Sequence, residues 1–309
     1  MRGSGGGRPR WEDLPPHVRA GVEDVLGSPV VRAESQAGGF SPGSADRVLT
    51  AAGRRAFVKA VGAAQNPHSP VLHRREARVS AALPPSLPVP RLLGVFDDGA
   101  WVALVLEEVD GHQPPLPWRA GDVDAVLGAL AALAAGATPC PVPGLPAAAD
   151  ELREDFAGFE RLAADGVPLA GLDELRALAR RGLDALDGDT LAHVDLRADN
   201  VLLTAGGAVL VDWPHACRGP AWLDALVLLV EVERHGGHDA DALLARAPTA
   251  RGVDPDVLTA VLAGFAAFFL DSARRPAPPG LPTVREFQRV QGEALLAWVR
   301  RRAGSALPG

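Results

Sequence analysis

Cysteine is scarce in this 309-residue chain, lysine scarcer still, and there is no surplus of positive charge. Cys140 and Cys217 are too few for a disulfide framework and, alone, for a zinc site, which points to a reducing compartment. The apolar stretches 126–135 and 225–230 fall short of the roughly 20 residues that span a bilayer, so no membrane partner is expected. A net charge of −7 and a pI near 5.6 argue against a binder of phosphate backbones, which excludes nucleic acid as the expected partner. The opening MRGSGGGRPR carries charge but no apolar stretch follows it, so residues 1–10 read as a disordered tail rather than a secretory leader. A cytoplasmic protein is the expectation. No repeat of fixed period is present. With 47% hydrophobic and 22% charged residues the chain is no disordered polymer, and at this length it buries about three quarters of its unfolded surface.

Lys59 is the only lysine; the other 30 of the 31 basic residues are arginine. A coding bias toward Arg, Ala, Gly and Pro accounts for the shortage but not for the survivor.

From residue 29 to 61, short β-favouring runs alternate with Gly/Ser/Pro clusters, which predicts an antiparallel meander with strands over 30–33, 47–50 and 56–59. A Gly- and Pro-free segment, 71–83, predicts one helix, and strands over 91–96 and 101–108 are joined by the turn Asp97-Asp98-Gly99. Beyond residue 109 the texture becomes helical, over 122–135, 147–164, 172–186, 221–234, 256–273 and 284–302, with one β-rich exception at 190–213. The expected organisation is a sheet-rich N-lobe over 11–108 and a larger, mainly helical C-lobe over 109–309.

The exception carries chemistry. Two apolar runs flank Gly206-Gly207 and predict a tight hairpin with a polar mouth. A two-residue Gly-Gly loop sets Asn200 against Trp213 and Asp212 against Val201; a three-residue loop sets Asn200 against Asp212. Either register brings two oxygen-bearing side chains together, where a hard divalent cation needs few protein ligands. Asp195 lies five residues before Asn200. One carboxylate to orient a hydroxyl, with Asn and Asp to fix magnesium on nucleotide phosphates, is the apparatus of phosphoryl transfer. The segment resembles the H-x-D-x-x-x-x-N loop and following Asp of kinases. His193-Val-Asp195 through Asn200 and Val211-Asp212-Trp213 are more closely similar to the aminoglycoside phosphotransferase family of small-molecule kinases.

The resemblance implies an α+β, bilobal, protein-kinase-like fold, ATP and Mg2+ as cofactors, and transfer of the γ-phosphoryl group to an alcohol. It gives Lys59 a task, because a kinase needs a strand lysine on the α- and β-phosphates and a helix carboxylate to hold it. Phe57, Lys59 and Val61 share a strand face, while Glu76 interrupts the apolar stripe Leu72, Val79, Leu83. The glycine-rich stretch with Gly39, Ser41 and Gly43 stands where a phosphate-covering loop belongs, although it departs from G-x-G-x-x-G and Pro42 removes a donor. In such proteins the adenine meets the backbone of the segment linking the lobes, here Glu107 to Val109. Arg218-Gly-Pro220 and Asp224 match the family's G-x-P…D stretch, with Asp224 expected to tie backbone near the catalytic loop and His193 to be scaffold. Val194 stands where Gly is common and Arg197 where His is common. The implied roles are Asp195 as catalytic residue, Asn200 and Asp212 as metal ligands, and Lys59 with Glu76 on the phosphates.

Between Asp195 and Asp241 the chain carries eight acidic residues and three arginines, a balance of 3 − 8 = −5, which would attract a cationic aminoglycoside-like or peptide antibiotic and so suits a part in antibiotic resistance, with choline-like, sugar and macrolide acceptors left open. Two readings of other classes compete. One is a nucleotide-binding regulator without transfer activity. The other is a serine hydrolase, since Gly39-Phe-Ser41-Pro-Gly43 matches G-x-S-x-G, although a turn rather than a helix comes after it. His235, His238, Asp239 and Asp241 read as a solvated loop between helices rather than a metal site.

Overall fold

Short β-favouring runs in the first hundred or so residues form one antiparallel sheet in the structure, a computed structural model that describes residues 9–36, 42–278 and 282–304. Its strands are β1 (Val30–Ser35), β2 (Ser44–Thr50), β3 (Arg55–Gly62), β4 (Leu92–Asp97) and β5 (Trp101–Glu107), in the order β1-β2-β3-β5-β4. Most of the expected tail, residues 1–8, lies outside the described residues; Arg10 already donates its backbone N–H to Asp13.

Each face of the sheet is covered by a helix. Helix α1 (Pro16–Leu26) packs Val18, Val22 and Leu26 onto Val48, Ala56, Val58, Ala60, Ala103 and Val105. Helix α2 (Ser69–Ala82) faces the other side, where Ala77 packs with Val102, Leu104, Leu106 and Phe57. Helix α1 precedes the first element that the sequence pattern predicts. Pro16 occupies its first turn, where no N–H is needed, and Gly27 ends the helix with φ of 73°. Gly21 is required because a Cβ there would run into the ring of Phe96.

The chain divides into two compact units. The first holds the described residues up to Pro114 together with Ala198–Ala216, the hairpin of β7 (Val201–Thr204) and β8 (Gly207–Leu210). This hairpin lies far downstream but bonds to the first unit, Leu203 bridging His112 and the Leu210 N–H donating to the Pro88 carbonyl at 2.8 Å.

The second unit, Pro115–Arg197 and Cys217 onward, is built mainly of helices. In chain order these are α3 (Ala120–Gly136), α4 (Ala148–Glu151), α5 (Arg153–Phe156), α6 (Gly158–Ala164), α7 (Leu172–Asp184), α8 (Leu223–His235), α9 (Ala240–Arg246), α10 (Pro255–Ala273) and α11 (Val284–Ala303), with a short pair of strands, β6 (Thr190–Ala192) and β9 (Cys217–Gly219). The single helix expected over 147–164 is three short ones, bent at Leu152 and Ala157 so that Leu152, Phe156 and Phe159 are all buried. By length and composition alone α10 is apolar enough to cross a membrane, although Asp256 and Asp271 interrupt it. Its most apolar window is 61% buried, and α6, α7, α8 and α11 pack around it as the core of this unit.

Candidate functional site

Strand β3 sets Lys59 between Ala45 of β2 and Leu104 of β5, on the face toward α2. Glu76, on the buried stripe of α2, receives the ammonium with both oxygens, at 2.8 and 3.1 Å. Asp212 accepts from the same Nζ at 2.9 Å. Burial works to discharge Lys59, but Asp212 and Glu76 outweigh it and hold the ammonium above its ordinary pKa. Burial pushes the Glu76 carboxyl up, opposed by Lys59 and by the donating Trp213 N–H. The triad has two carboxylates for one cation, and Asp212 is its open member, with 41% of its side chain exposed against 3% for Glu76.

The hairpin adopts neither expected register. Its two-residue loop is Ala205-Gly206, not Gly206-Gly207: Thr204 pairs with Gly207 and Val201 with Leu210, so Asn200 stands opposite Val211, whose N–H donates to the Asn200 carbonyl at 3.0 Å. Thr204 sets this shift, its hydroxyl accepting from Gly206 N–H and donating to the Gly207 carbonyl, an interaction that pulls the turn back by one residue. Asp212 comes next with φ of 72°, a left-handed conformation that aspartate tolerates better than most residues. Buried Asn200 and open Asp212 therefore lie on the same unit and the same hairpin. Among the described residues no three His, Cys, Asp or Glu side chains gather into a metal cage. One carboxylate with one amide oxygen suits Mg2+, which keeps several waters and takes its other ligands from phosphates.

In the second unit the segment after β6 is fixed from below by Asp224 in the first turn of α8. Its buried carboxylate accepts from the backbone N–H groups of His193, at 2.7 Å, and Val194, at 2.9 Å. Burial raises its pKa, opposed by His193 and these donors. This is the tie expected of Asp224. His193 is fully buried and its Nδ1 accepts from the Asp195 N–H at 3.3 Å, a scaffold contact. Val194 between them has φ of 57°, a strained conformation for a β-branched residue. Asp195 is 36% exposed, with Arg197 Nε 3.6 Å from its Oδ1.

The remaining sites divide. Gly39 and Ser41 lie outside the described residues; the first element after them is strand β2, not the helix of a nucleophile elbow. At Gly43 a Cβ would stand 2.5 Å from the Ala60 carbonyl, so close approach to β3 demands glycine. The Glu107 side chain pairs with Arg91 at 2.9 Å and its N–H donates to the Arg91 carbonyl, while the Val109 carbonyl accepts from Gly111. His238 bonds the Trp118 carbonyl, Asp239 caps α9 and Asp241 binds Trp298 and Arg302, which gives these side chains structural partners. Sequence reasoning missed the surroundings of Asp195. Arg197 and Arg234 both lie over the ring of Phe287, and only the departure at Arg197 hinted at it.

The structure is similar to a thermostable mutant of the aminoglycoside phosphotransferase APH(4)-Ia, with a TM-score of 0.60 and 17% identity over 93% of this chain and 100% of the other. Another solved form of that mutant binds ADP and hygromycin B. Choline kinase LicA from Streptococcus pneumoniae gives a TM-score of 0.62 with 16% identity, covering 91% of this chain and 98% of the other. A spectinomycin phosphotransferase, APH(9)-Ia, solved with ADP and spectinomycin, gives 0.58 with 12% identity over 94% and 99%. At such identities the likeness is one of fold, the α+β bilobal kinase-like class. Among curated proteins, the thiamine kinase of Salmonella heidelberg is 42% identical over 55 residues; the chain spans only 20% of that relative's length, and the match takes in 18% of the chain. Residues 39–261 match the profile of the phosphotransferase enzyme family, and over that span, most of its length, the chain belongs to this family.

Proposed function

We propose that the protein is an ATP-dependent O-phosphotransferase whose first unit binds nucleotide and whose second supplies the catalytic loop and acceptor site. The observation that carries this reading is the ammonium of Lys59 clamped by Glu76 and Asp212. In this scheme Lys59 holds the α- and β-phosphates and Glu76 keeps it aimed. The backbone around Gly39, Ser41 and Gly43 covers the phosphates, and that of Glu107 to Val109 meets the base. Asn200 and Asp212 hold Mg2+, which when bound neutralises charge on the phosphate oxygens. Asp195 orients the acceptor hydroxyl and accepts its proton as the new O–P bond forms and the bond from Pγ to the ADP oxygen breaks; the products are ADP, a phosphate ester and one proton.

The finer expectation of a cationic acceptor, an antibiotic among them, draws support from neighbours named for hygromycin B, spectinomycin and choline. The acidic balance behind it loses weight, because Asp212, Asp224, Glu233, Asp239 and Asp241 are each engaged within the protein. The test is Mg2+-dependent ATP consumption over a panel of hydroxylated acceptors. Asp195→Asn is expected to lower transfer by about 10²–10⁴-fold while KM for ATP stays put. Tight nucleotide binding without transfer to any acceptor marks the regulator instead, and ester hydrolysis lost in Ser41→Ala but kept in Asp195→Asn marks the hydrolase.

A further inference from the structure

We infer that the acceptor, in departure from the cationic one that the neighbours' names favour, is an uncharged hydroxylated molecule with an aromatic or flat apolar face, an inference that rests on the phosphotransferase reading of Asp195. Arg197, two residues past Asp195, sits with Nε 3.6 Å from the Asp195 carboxylate and its guanidinium carbon 5.7 Å from the centre of the Phe287 ring on α11. Arg234 of α8 reaches the same ring, at 4.9 Å. Phe287 meets Phe269 of α10 edge-on, with centroids 6.4 Å apart, and Phe269 lies 4.9 Å from Phe268. All three rings are half-buried. The chain has nine phenylalanines and no tyrosine, so a third of its phenyl rings gather in one group that adjoins the residue beside Asp195.

A cluster of rings next to a reacting group suits two kinds of guest, an organic cation held over the ring faces or a flat apolar body stacked among them. Here the protein supplies its own cations. Two guanidinium groups already lie over Phe287, so an incoming ammonium meets like charge, and the carboxylate that would attract it, Asp195, has Arg197 beside it. Each carboxylate of α8 is already engaged: Glu231 is buried with its charge acting on Arg234, Glu233 is bound to Arg301, and Asp224 accepts from the backbone of His193 and Val194, so the helix offers an incoming ammonium no added attraction at the ring. Guanidinium planes and phenyl edges instead stack well with a planar neutral group, which brings its hydroxyl to Asp195 without charge conflict.

The test uses the full chain with Mg2+ and ATP and tracks ADP release with phenyl β-glucoside, methyl β-glucoside, phenyl β-glucosaminide, hygromycin B and choline, with neutral aromatic alcohols to extend the first arm. The expected result is a kcat/KM for the neutral aromatic acceptors at least about tenfold above that for the methyl glycoside and the cations. Phe287→Ala, and Phe287→Leu as a gentler variant checked by circular dichroism, should raise KM for aromatic acceptors about tenfold with KM for ATP unchanged. Arg234→Glu should shift preference toward the amines. Transfer that favours the cations, or Phe287 variants that leave acceptor KM alone, overturns this inference and leaves the phosphotransferase intact. Absence of transfer to every acceptor overturns the underlying reading.

Discussion

Val194 is the residue under most evident strain. Its left-handed backbone, held by the bond from its N–H to Asp224, costs a β-branched residue about 1–3 kcal/mol. Val194→Gly should therefore stabilise the second unit, by about 1 kcal/mol once the greater freedom of glycine in the unfolded chain is subtracted, read as a higher denaturant midpoint. An unchanged or lower midpoint would mean that the valine methyls contribute more by packing than the backbone loses. Lys59 and Glu76 were legible in the sequence because each contradicts its surroundings, a lysine in an arginine chain and a carboxylate on an apolar stripe. The conformation of Val194 was visible only as a departure from a family glycine. Beyond the departure at Arg197, the grouping of Phe287 with Arg197 and Arg234 left no trace in the sequence, since it joins three distant segments by tertiary packing that no local pattern encodes.

Helix α10 shows how elements enforce residue choice. Glycines on two neighbours, Gly158 on α6 and Gly182 on α7, meet its backbone at the Ala267 and Ala260 carbonyls, and a Cβ on either would collide there. In an exposed helix Gly→Ala gains up to about 1 kcal/mol. Gly182→Ala should instead lose about 1–3 kcal/mol, because backbone must move to admit the methyl; calorimetry of the variant decides the sign. Beside this contact Asp271 of α10 is buried, and although burial pushes its carboxyl up, bonds from Arg161, Arg275 and Arg274 bring it below its ordinary value. A lowered folded-state pKa stabilises above the unfolded value of 3.8 and is lost as pH falls through the folded value. Asp271→Asn should then cost about 3–5 kcal/mol at neutral pH, with the gap to the parent protein closing in acid, as urea titrations at stepped pH would show. The strands and long helices were legible from period and turn chemistry. Helix α1 and the bends at Leu152 and Ala157 were not, because close packing against Phe96 and α10 decides them.

For the molecule as a whole, two compact units with the Lys59–Glu76–Asp212 cluster wholly inside the first predict, on the proposed function, a local response to ligand. Mg2+ with ATP at a hundred times its Kd should stabilise the first unit by about 2.7 kcal/mol, moving the nucleotide-sensitive calorimetric transition upward, whereas Lys59→Met should show little shift at the same concentration. An equal shift in both proteins would remove Lys59 from the nucleotide site. The α+β class, and the passage from a sheet-rich to a helical stretch along the chain, were readable from sequence alone. The assignment of the 198–216 hairpin to the first unit was not, because it depends on bonds at His112 and Pro88 rather than on chain order. The solitary ε-amine at Lys59 also makes the chain its own reporter. Besides the α-amine, an amine-selective acylating probe has one side chain to find anywhere in the polypeptide, and that target is gripped by two carboxylates, so the mass of a single internal peptide would record both nucleotide occupancy and every opening of the clamp.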